Sequence, residues 1–375
     1  MDKIYADNAY HKIGESKLNF LDYLDWRGDI KFKERPINEV DNLIFSTLAY
    51  TDMEGLVHED GITISELYQA YVNAGYNQSN MVINPKLLLE KTAKSERYKS
   101  VLVKCYVNEI DTEKHLQFSA VTFEIDEKLY YIAYRGTDNT LAGWHEDCNM
   151  SYLPKTPGQF EAAEYLNKIS AKSKHDLIIG GHSKGGNFAV YAAAFCKSNI
   201  RERILKVYSN DGPGFNNTIA NSKEYLDIIP KTEHIITDSS IVGILLSSKS
   251  KNKVIKSSAM GFDQHNPYTW NVLCTEFEKA DGLSPASVFM DIATSKWIDS
   301  LNDDSKKILI DSVFNSLELS GATTINDISD KKWEVYNSVL KAITVMNTET
   351  RNEIGNSIKK LFDAGRDAIV KGIYK

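Results

Sequence analysis

Residues 176–194 read DLIIGGHSKGGNFAVYAAA and decide the fold of this 375-residue chain. A short apolar run ends in two glycines, and apolar residues then recur at the helical period. The junction, residues 181–185, is a G-x-S-x-G motif, in which a serine occupies a sharp strand-to-helix turn. The helix that follows directs its free N–H groups at the place where an oxyanion would develop. We therefore predict that Ser183 is a nucleophile; an inert serine in an ordinary glycine-rich turn is the alternative.

The bulk composition is that of a globular protein and argues against several other classes. Hydrophobic residues make up 42% and charged residues 25%, and the net charge of −7 comes with no dense block of Lys and Arg. A nucleic-acid-binding surface is therefore not expected. No apolar run is long enough to cross a bilayer, and the N-terminus lacks the apolar core of a signal peptide. The four cysteines have no metal-like spacing, so we expect free, mostly buried thiols and a cytoplasmic location.

The order of the elements predicts an α/β fold of the α/β-hydrolase type, a mixed, mostly parallel sheet with helices on both faces. An irregular leader is expected before Pro36, and a polar stretch after residue 134. From residue 284 only helical patterns follow, which predicts a domain of residues 1–283 and a helical C-terminal unit of residues 284–375. The helices are predicted over residues 36–50, 63–72, 85–93, 156–171, 184–195, 220–226, 288–298, 305–317, 331–345 and 348–373. The strands are predicted over residues 101–106, 116–123, 130–134, 177–180, 204–209 and 234–237.

An activated serine needs a histidine to accept its proton and an acid to orient that histidine. In this type of fold the acid and then the histidine follow the serine along the chain. His265 lies in a loop after the last predicted strand, which suits an orientable base. His234 lies inside an apolar strand and His182 points into the sheet, so we interpret both as core histidines.

Two aspartates end predicted strands beside the nucleophile and compete for the role of the acid. Asp238 follows the strand over residues 234–237, and Asp211 follows the strand over residues 204–209. Asp211 precedes Gly-Pro-Gly, so it also fits a turn-forming role. We favour Asp238, with Asp211 and Asp263 as alternatives. His145 and Asp147 resemble a metal pair, but no third ligand is spaced with them.

With these residues in place, residues 130–271 resemble the class 3 lipase branch of the α/β-hydrolases, and most of all a group of bacterial lipase-like proteins of unknown function. The likeness is carried by four segments: Tyr134-Arg135-Gly136-Thr137, Gly143-Trp144 with Asp147, Gly181 to Gly186, and His265 to Trp270. The resemblance implies that Ser183, Asp238 and His265 form the triad. It also implies an oxyanion hole made by Lys184 N–H and Thr137, and a lid over residues 138–153, for which a plain polar loop is the alternative.

Lys184 stands where such lipases usually have leucine. An ammonium group within reach of the site would favour anionic or phosphate-bearing esters over neutral fat. We therefore expect a serine hydrolase that cleaves carboxylic esters, lipid or phospholipid esters included, without a metal or organic cofactor. A hydrolase fold retained as a binding or assembly module is the alternative, as is an acyltransferase or thioesterase on the same triad. No nucleic-acid partner is expected, while transient contact with a membrane surface and dimerisation through the C-terminal helices stay open.

Overall fold

The structure, a computed structural model, describes residues 18–76, 83–138, 140–299 and 301–319, with residues 348, 351, 352 and 356 beyond them. The predicted helix over residues 331–345 and most of that over residues 348–373 lie outside the described residues. No helix in these ranges is long and apolar enough to cross a membrane. The helices are α1 (Phe20–Arg27), α2 (Glu39–Leu48), α3 (Ile64–Asn73), α4 (Lys86–Lys94), α5 (Leu141–Asn149), α6 (Pro157–Ala171), α7 (Lys184–Phe195), α8 (Ser198–Arg201), α9 (Asn217–Ala220), α10 (Lys223–Ile228), α11 (Pro285–Asp299) and α12 (Asp303–Leu319).

Within the described ranges, eight strands form one sheet in chain order, and two short strands form a separate hairpin. The strands are β1 (Ile62–Thr63), β2 (Leu102–Asp111), β3 (Leu116–Asp126), β4 (Leu129–Tyr134), β5 (Asp176–His182), β6 (Ile204–Asn210), β7 (Thr232–Thr237), β8 (Asn252–Ile255), β9 (Val272–Leu273) and β10 (Glu276–Phe277). The pairs from β1 to β4 are antiparallel, and those from β4 to β8 are parallel. The mixed, mostly parallel sheet of the α/β-hydrolase type is confirmed.

Both faces of the sheet are buried, as the alternation along β4 shows. Tyr131 and Ala133 belong to the apolar core that faces α1–α4, whereas Ile132 and Tyr134 belong to the core that faces α6, α7 and α10. Successive side chains of a strand point to opposite faces, so one short strand contributes to both cores. The N-terminal helices thus form one complete layer of the fold.

The N-terminal layer is attached to the sheet through the fully buried helix α2. Its N-terminus carries a capping box in which Asn38 and Asp41 satisfy each other's backbone N–H groups. Asn42, one turn along, donates to Asn210 Oδ1 at 2.8 Å, and Asn210 donates to the carbonyl of Gly181 at 3.0 Å. Because polar groups at this depth are costly when unpaired, these bonds fix the layer against the strands β5 and β6.

Three expectations differ from the structure at the level of local elements. The leader before Pro36 contains the regular helix α1, whose N-terminus has a capping box of Asn19 and Asp22. The polar stretch after residue 134 contains the helix α5 rather than a plain loop. The cysteines are free but not mostly buried, since Cys105 and Cys274 are exposed.

Candidate active site

The G-x-S-x-G motif forms a strained strand-to-helix turn between β5 and α7. Ser183 has φ 58° and ψ −133°, a backbone conformation that residues other than glycine rarely adopt. A Cβ at Gly181 would lie 2.2 Å from the backbone of Gly185, and a Cβ at Gly185 would lie 2.1 Å from the carbonyl oxygen of Tyr134. Only glycine fits at these two positions, which explains why the motif needs them. The turn projects Ser183 from the carboxyl end of the sheet.

An imidazole and a carboxylate meet beside this turn. His265 Nδ1 lies 2.6 Å from Asp211 Oδ2, and the His265 ring is 4.6 Å from the ring of His182, the residue before Ser183. Asp211 is fully buried, and its other oxygen accepts the Ser240 hydroxyl at 2.5 Å. Burial alone would raise the pKa of Asp211, but the bonds from His265 and Ser240 outweigh it and hold that pKa below its usual value.

The preference for Asp238 as the partner of His265 does not match this geometry. Asp238 Oδ1 accepts a hydrogen bond from Gln264 Nε2 at 3.0 Å, so Asp238 orients the neighbour of His265 instead of His265 itself. Both aspartates follow adjacent parallel strands, as predicted. The path of the loop decides between them, because Asp211 takes a left-handed φ of 50° that is unusual for a residue other than glycine.

The other histidines interpreted as core residues are satisfied inside the fold. His234 places Nε2 3.0 Å from the carbonyl of Gly212 and Nδ1 3.0 Å from Asn252 Oδ1. His182 is fully buried. Asp263, the third candidate acid, is exposed. Across the described ranges, no group of three or more His, Cys, Asp or Glu side chains is arranged to hold a metal ion.

The predicted oxyanion-hole residues flank the serine on two sides. A Cβ on Gly136 would lie 3.0 Å from Ser183 Cβ and 2.5 Å from the carbonyl of His182, so the backbone before Thr137 touches the nucleophile. Lys184 is the first residue of α7, where the initial N–H groups of a helix have no intrahelical acceptor. The Thr137 hydroxyl donates to Asp147 Oδ2 at 2.5 Å, which fixes its orientation.

The model of the Mbeg1-like family matches residues 92–315, more than half of the chain and all of the site residues above. The chain belongs to the Mbeg1-like family. No curated protein matches the sequence.

Three solved structures are distantly similar in fold to the Mbeg1-like chain. The Rhizomucor miehei lipase propeptide complex is 14% identical, covers 67% of this chain and 75% of its own, and has a TM-score of 0.39. The M37 lipase is 18% identical over 48% of this chain and 69% of its own, with a TM-score of 0.33. A fungal lipase–inhibitor complex is 14% identical over 70% of this chain and 87% of its own, with a TM-score of 0.36.

The side chain of Lys184 in this Mbeg1-like chain does not point toward the substrate side of the site, contrary to expectation. It is fully buried, with Nζ 3.3 Å from Glu146 Oε2 and 3.7 Å from Asp147 Oδ1. Two carboxylates therefore neutralise the ammonium group away from solvent, and it does not face an incoming substrate. The expected preference for anionic esters loses its physical basis.

Glu146 fastens helix α5 to the rest of the fold. Its Oε1 accepts the N–H of Gly158 at 2.6 Å, and its Oε2 accepts the N–H of Gln117 at 3.1 Å in addition to the Lys184 ammonium. A lid that swings open would have to break all of these buried bonds, each of which is expensive to leave unpaired. The segment expected to be a lid is thus a firmly anchored helix in this structure.

Helix α12 of the C-terminal unit packs on the outer face of α5. Leu141 forms an apolar cluster with Phe314 and Leu317, and His145 stacks on Phe314 at a ring distance of 4.6 Å. His145 Nε2 also lies 3.2 Å from Asp311 Oδ1, while burial and the nearby His115 lower the pKa of His145. Sequence periodicity correctly placed α12, but the surface that it covers could not be read from the sequence.

Proposed function

We propose that this protein is a serine hydrolase that cleaves carboxylic esters through an acyl-enzyme on Ser183. The observation that carries the proposal is the 2.6 Å contact of His265 with the buried Asp211, beside a serine held in a strained turn. The carboxylate fixes the imidazole with Nδ1–H directed at Asp211, which leaves Nε2 to accept the serine proton.

In the proposed reaction, Ser183 Oγ attacks the ester carbonyl while His265 takes its proton and later delivers it to the leaving alkoxide. The oxyanion is stabilised by the backbone N–H groups of Lys184 and Thr137, while the Thr137 hydroxyl donates to Asp147 and holds this residue in place. Water, deprotonated by His265, then attacks the acyl-enzyme and releases the carboxylic acid. Asp211 stays ionised throughout and stabilises the imidazolium.

The proposal is tested by the acyl-enzyme itself. We expect p-nitrophenyl esters of increasing chain length to give a burst of p-nitrophenol and a mass adduct equal to one acyl group, both absent from Ser183→Ala. Retention of turnover by Ser183→Ala, or absence of turnover and adduct across the panel, would contradict the proposal. Repeating the reaction with an alcohol or thiol acceptor and analysing the products then separates hydrolysis from acyl transfer, because both use the same intermediate.

A further inference from the structure

A chain of hydrogen bonds leads from the N-terminal layer to the backbone of His265. The buried Tyr50, which follows α2, places its hydroxyl 3.1 Å from His182 Nδ1. His182 Nε2 lies 2.8 Å from the backbone carbonyl of His265. Tyr50 lies outside residues 92–315, so its contact with the site is not part of the region that matches the family model.

The position of each proton along this chain follows from chemistry. A carbonyl can only accept, so His182 Nε2 must carry the hydrogen that reaches His265. Burial and the nearby His265 lower the pKa of His182 to about 3, so His182 is neutral at pH 7 and its Nδ1 has a free lone pair. Burial raises the pKa of Tyr50, so the hydroxyl keeps its proton and donates it to Nδ1. The Tyr50 oxygen also packs against the backbone of Gly136, since a Cβ on Gly136 would lie 2.1 Å from it.

The chain therefore has one direction, from Tyr50 to His182 and from His182 to the His265 carbonyl. Tyr50, at one end, packs against Gly136, the residue before Thr137, and the other end is the backbone of the proposed base. Asp211 holds only a single ring atom of His265, and a ring held at one atom can still swivel unless its backbone is fixed. The bond from His182 supplies this second constraint at the His265 carbonyl itself, beside the bonds that Asp238 and Trp270 make to the preceding Gln264. The first three residues of the same 3-10 helix, Gly261, Phe262 and Asp263, are exposed.

We propose that Tyr50 and His182 are positioning residues that hold the backbone of His265 in register with Ser183 and Asp211. This inference rests on the proposed acyl-enzyme function. Its consequence is that the N-terminal layer takes part in setting the reactivity of the serine. Loss of the Tyr50 hydroxyl leaves Nδ1 of His182 without a donor, which frees the imidazole to change tautomer and release the carbonyl.

The test is the rate of Ser183 labelling by a fluorophosphonate probe, resolved into the maximal rate kinact and the probe constant KI. Tyr50→Phe is expected to lower kinact about 10- to 100-fold with KI unchanged, the size of effect that a small misplacement of reacting groups produces. Tyr131→Phe is the matched control, because Tyr131 is another buried tyrosine, on the face of β4 that packs against the same layer, with its hydroxyl bonded to Ser46 and Asn42. It should lose comparable thermal stability and keep the wild-type kinact.

Two substitutions of His182 keep the test decisive if Tyr50→Phe is unstable. The glutamine amide nitrogen occupies the place of Nε2, so His182→Gln keeps a donor to the His265 carbonyl and has no tautomer to lose. We expect His182→Gln to label nearly as fast as wild type, His182→Asn to label slowly, and Tyr50→Phe to have no further effect in the His182→Gln background.

Two results overturn the inference, and they are distinguishable. If wild type labels at Ser183 and Tyr50→Phe matches Tyr131→Phe in kinact, the relay has no positioning role while the proposed function stands. If wild type does not label at Ser183, the proposed function fails and the inference fails with it.

Discussion

Lys184 and Glu146 form an ion pair of 3.3 Å in which both side chains are completely buried. Lys184 belongs to the turn that holds the nucleophile, and Glu146 belongs to α5. A single buried pair therefore ties the candidate oxyanion hole to the helix that carries Asp147. Such pairs stabilise little compared with apolar packing, but removing one partner leaves an uncompensated charge.

Lys184→Met should therefore be strongly destabilising. It keeps the backbone N–H and most of the side-chain volume, and leaves the buried Glu146 and the half-buried Asp147 without their cation. We expect the free energy of unfolding, measured by urea denaturation at pH 7, to fall by about 3 to 5 kcal/mol. The double variant Lys184→Met/Glu146→Gln should recover part of this loss. A single variant as stable as wild type would show that the pair is not buried as described.

The assignment of the acid is tested by two matched substitutions. Asp211→Asn should lower the rate of Ser183 labelling by roughly 10³- to 10⁴-fold, the effect known for loss of the acid in a Ser-His-Asp triad. Asp238→Asn retains an oxygen that can accept from Gln264, and should label at close to the wild-type rate. The opposite ranking of the two variants would restore Asp238 as the acid.

The stability of the protein should depend on the protonation of Asp147. Burial raises the pKa of Asp147 to about 6, although Lys184 and Thr137 act in the opposite direction. The folded state therefore holds this proton more tightly than the unfolded state. The resulting stabilisation is present below about pH 4 and is lost as the pH rises through 6.

Asp147→Asn isolates this contribution from those of other acids. We expect the difference in free energy of unfolding, wild type minus Asp147→Asn, to decrease by roughly 2 to 3 kcal/mol between pH 4 and pH 7.5. Chemical denaturation of both proteins at each pH measures it. A difference that is independent of pH, or that grows with pH, would contradict the raised pKa.

The turn at Ser183 predicts a sharp contrast between two glycines. A Cβ at Gly185 would lie 2.1 Å from a backbone oxygen of Tyr134, whereas a Cβ at Gly282 would have nothing within 4 Å. Gly185→Ala should lower the free energy of unfolding by about 1 to 3 kcal/mol and abolish labelling of Ser183. Gly282→Ala should stay within about 0.5 kcal/mol of wild type. Full labelling of Gly185→Ala would argue against the tight turn.

The extent to which the sequence predicted the site depends on how local each feature is. The turn at Ser183 was predictable because its glycines, strand and helix are contiguous, and His265 because it follows the last long strand. The choice between Asp211 and Asp238 depends on loop paths after two adjacent strands, which periodicity does not encode. The direction of the Lys184 side chain depends on Glu146, a residue 38 positions away.

The two helices that the sequence patterns did not predict, α5 and α1, have similar explanations. Helix α5 mixes polar and apolar residues on every side, because its inner face buries Glu146 and its outer face contacts α12. No regular apolar stripe results. Helix α1 did carry a readable signal, the capping box of Asn19 and Asp22, in a segment too short for periodicity to decide.

The central claim, that Ser183 is an activated nucleophile, is tested most directly by intact-mass analysis after incubation with a fluorophosphonate. Wild type should gain a mass equal to one probe adduct, and Ser183→Ala should gain none under the same conditions. An unmodified wild type in both buffer and detergent, or an adduct that persists in Ser183→Ala, would contradict the account.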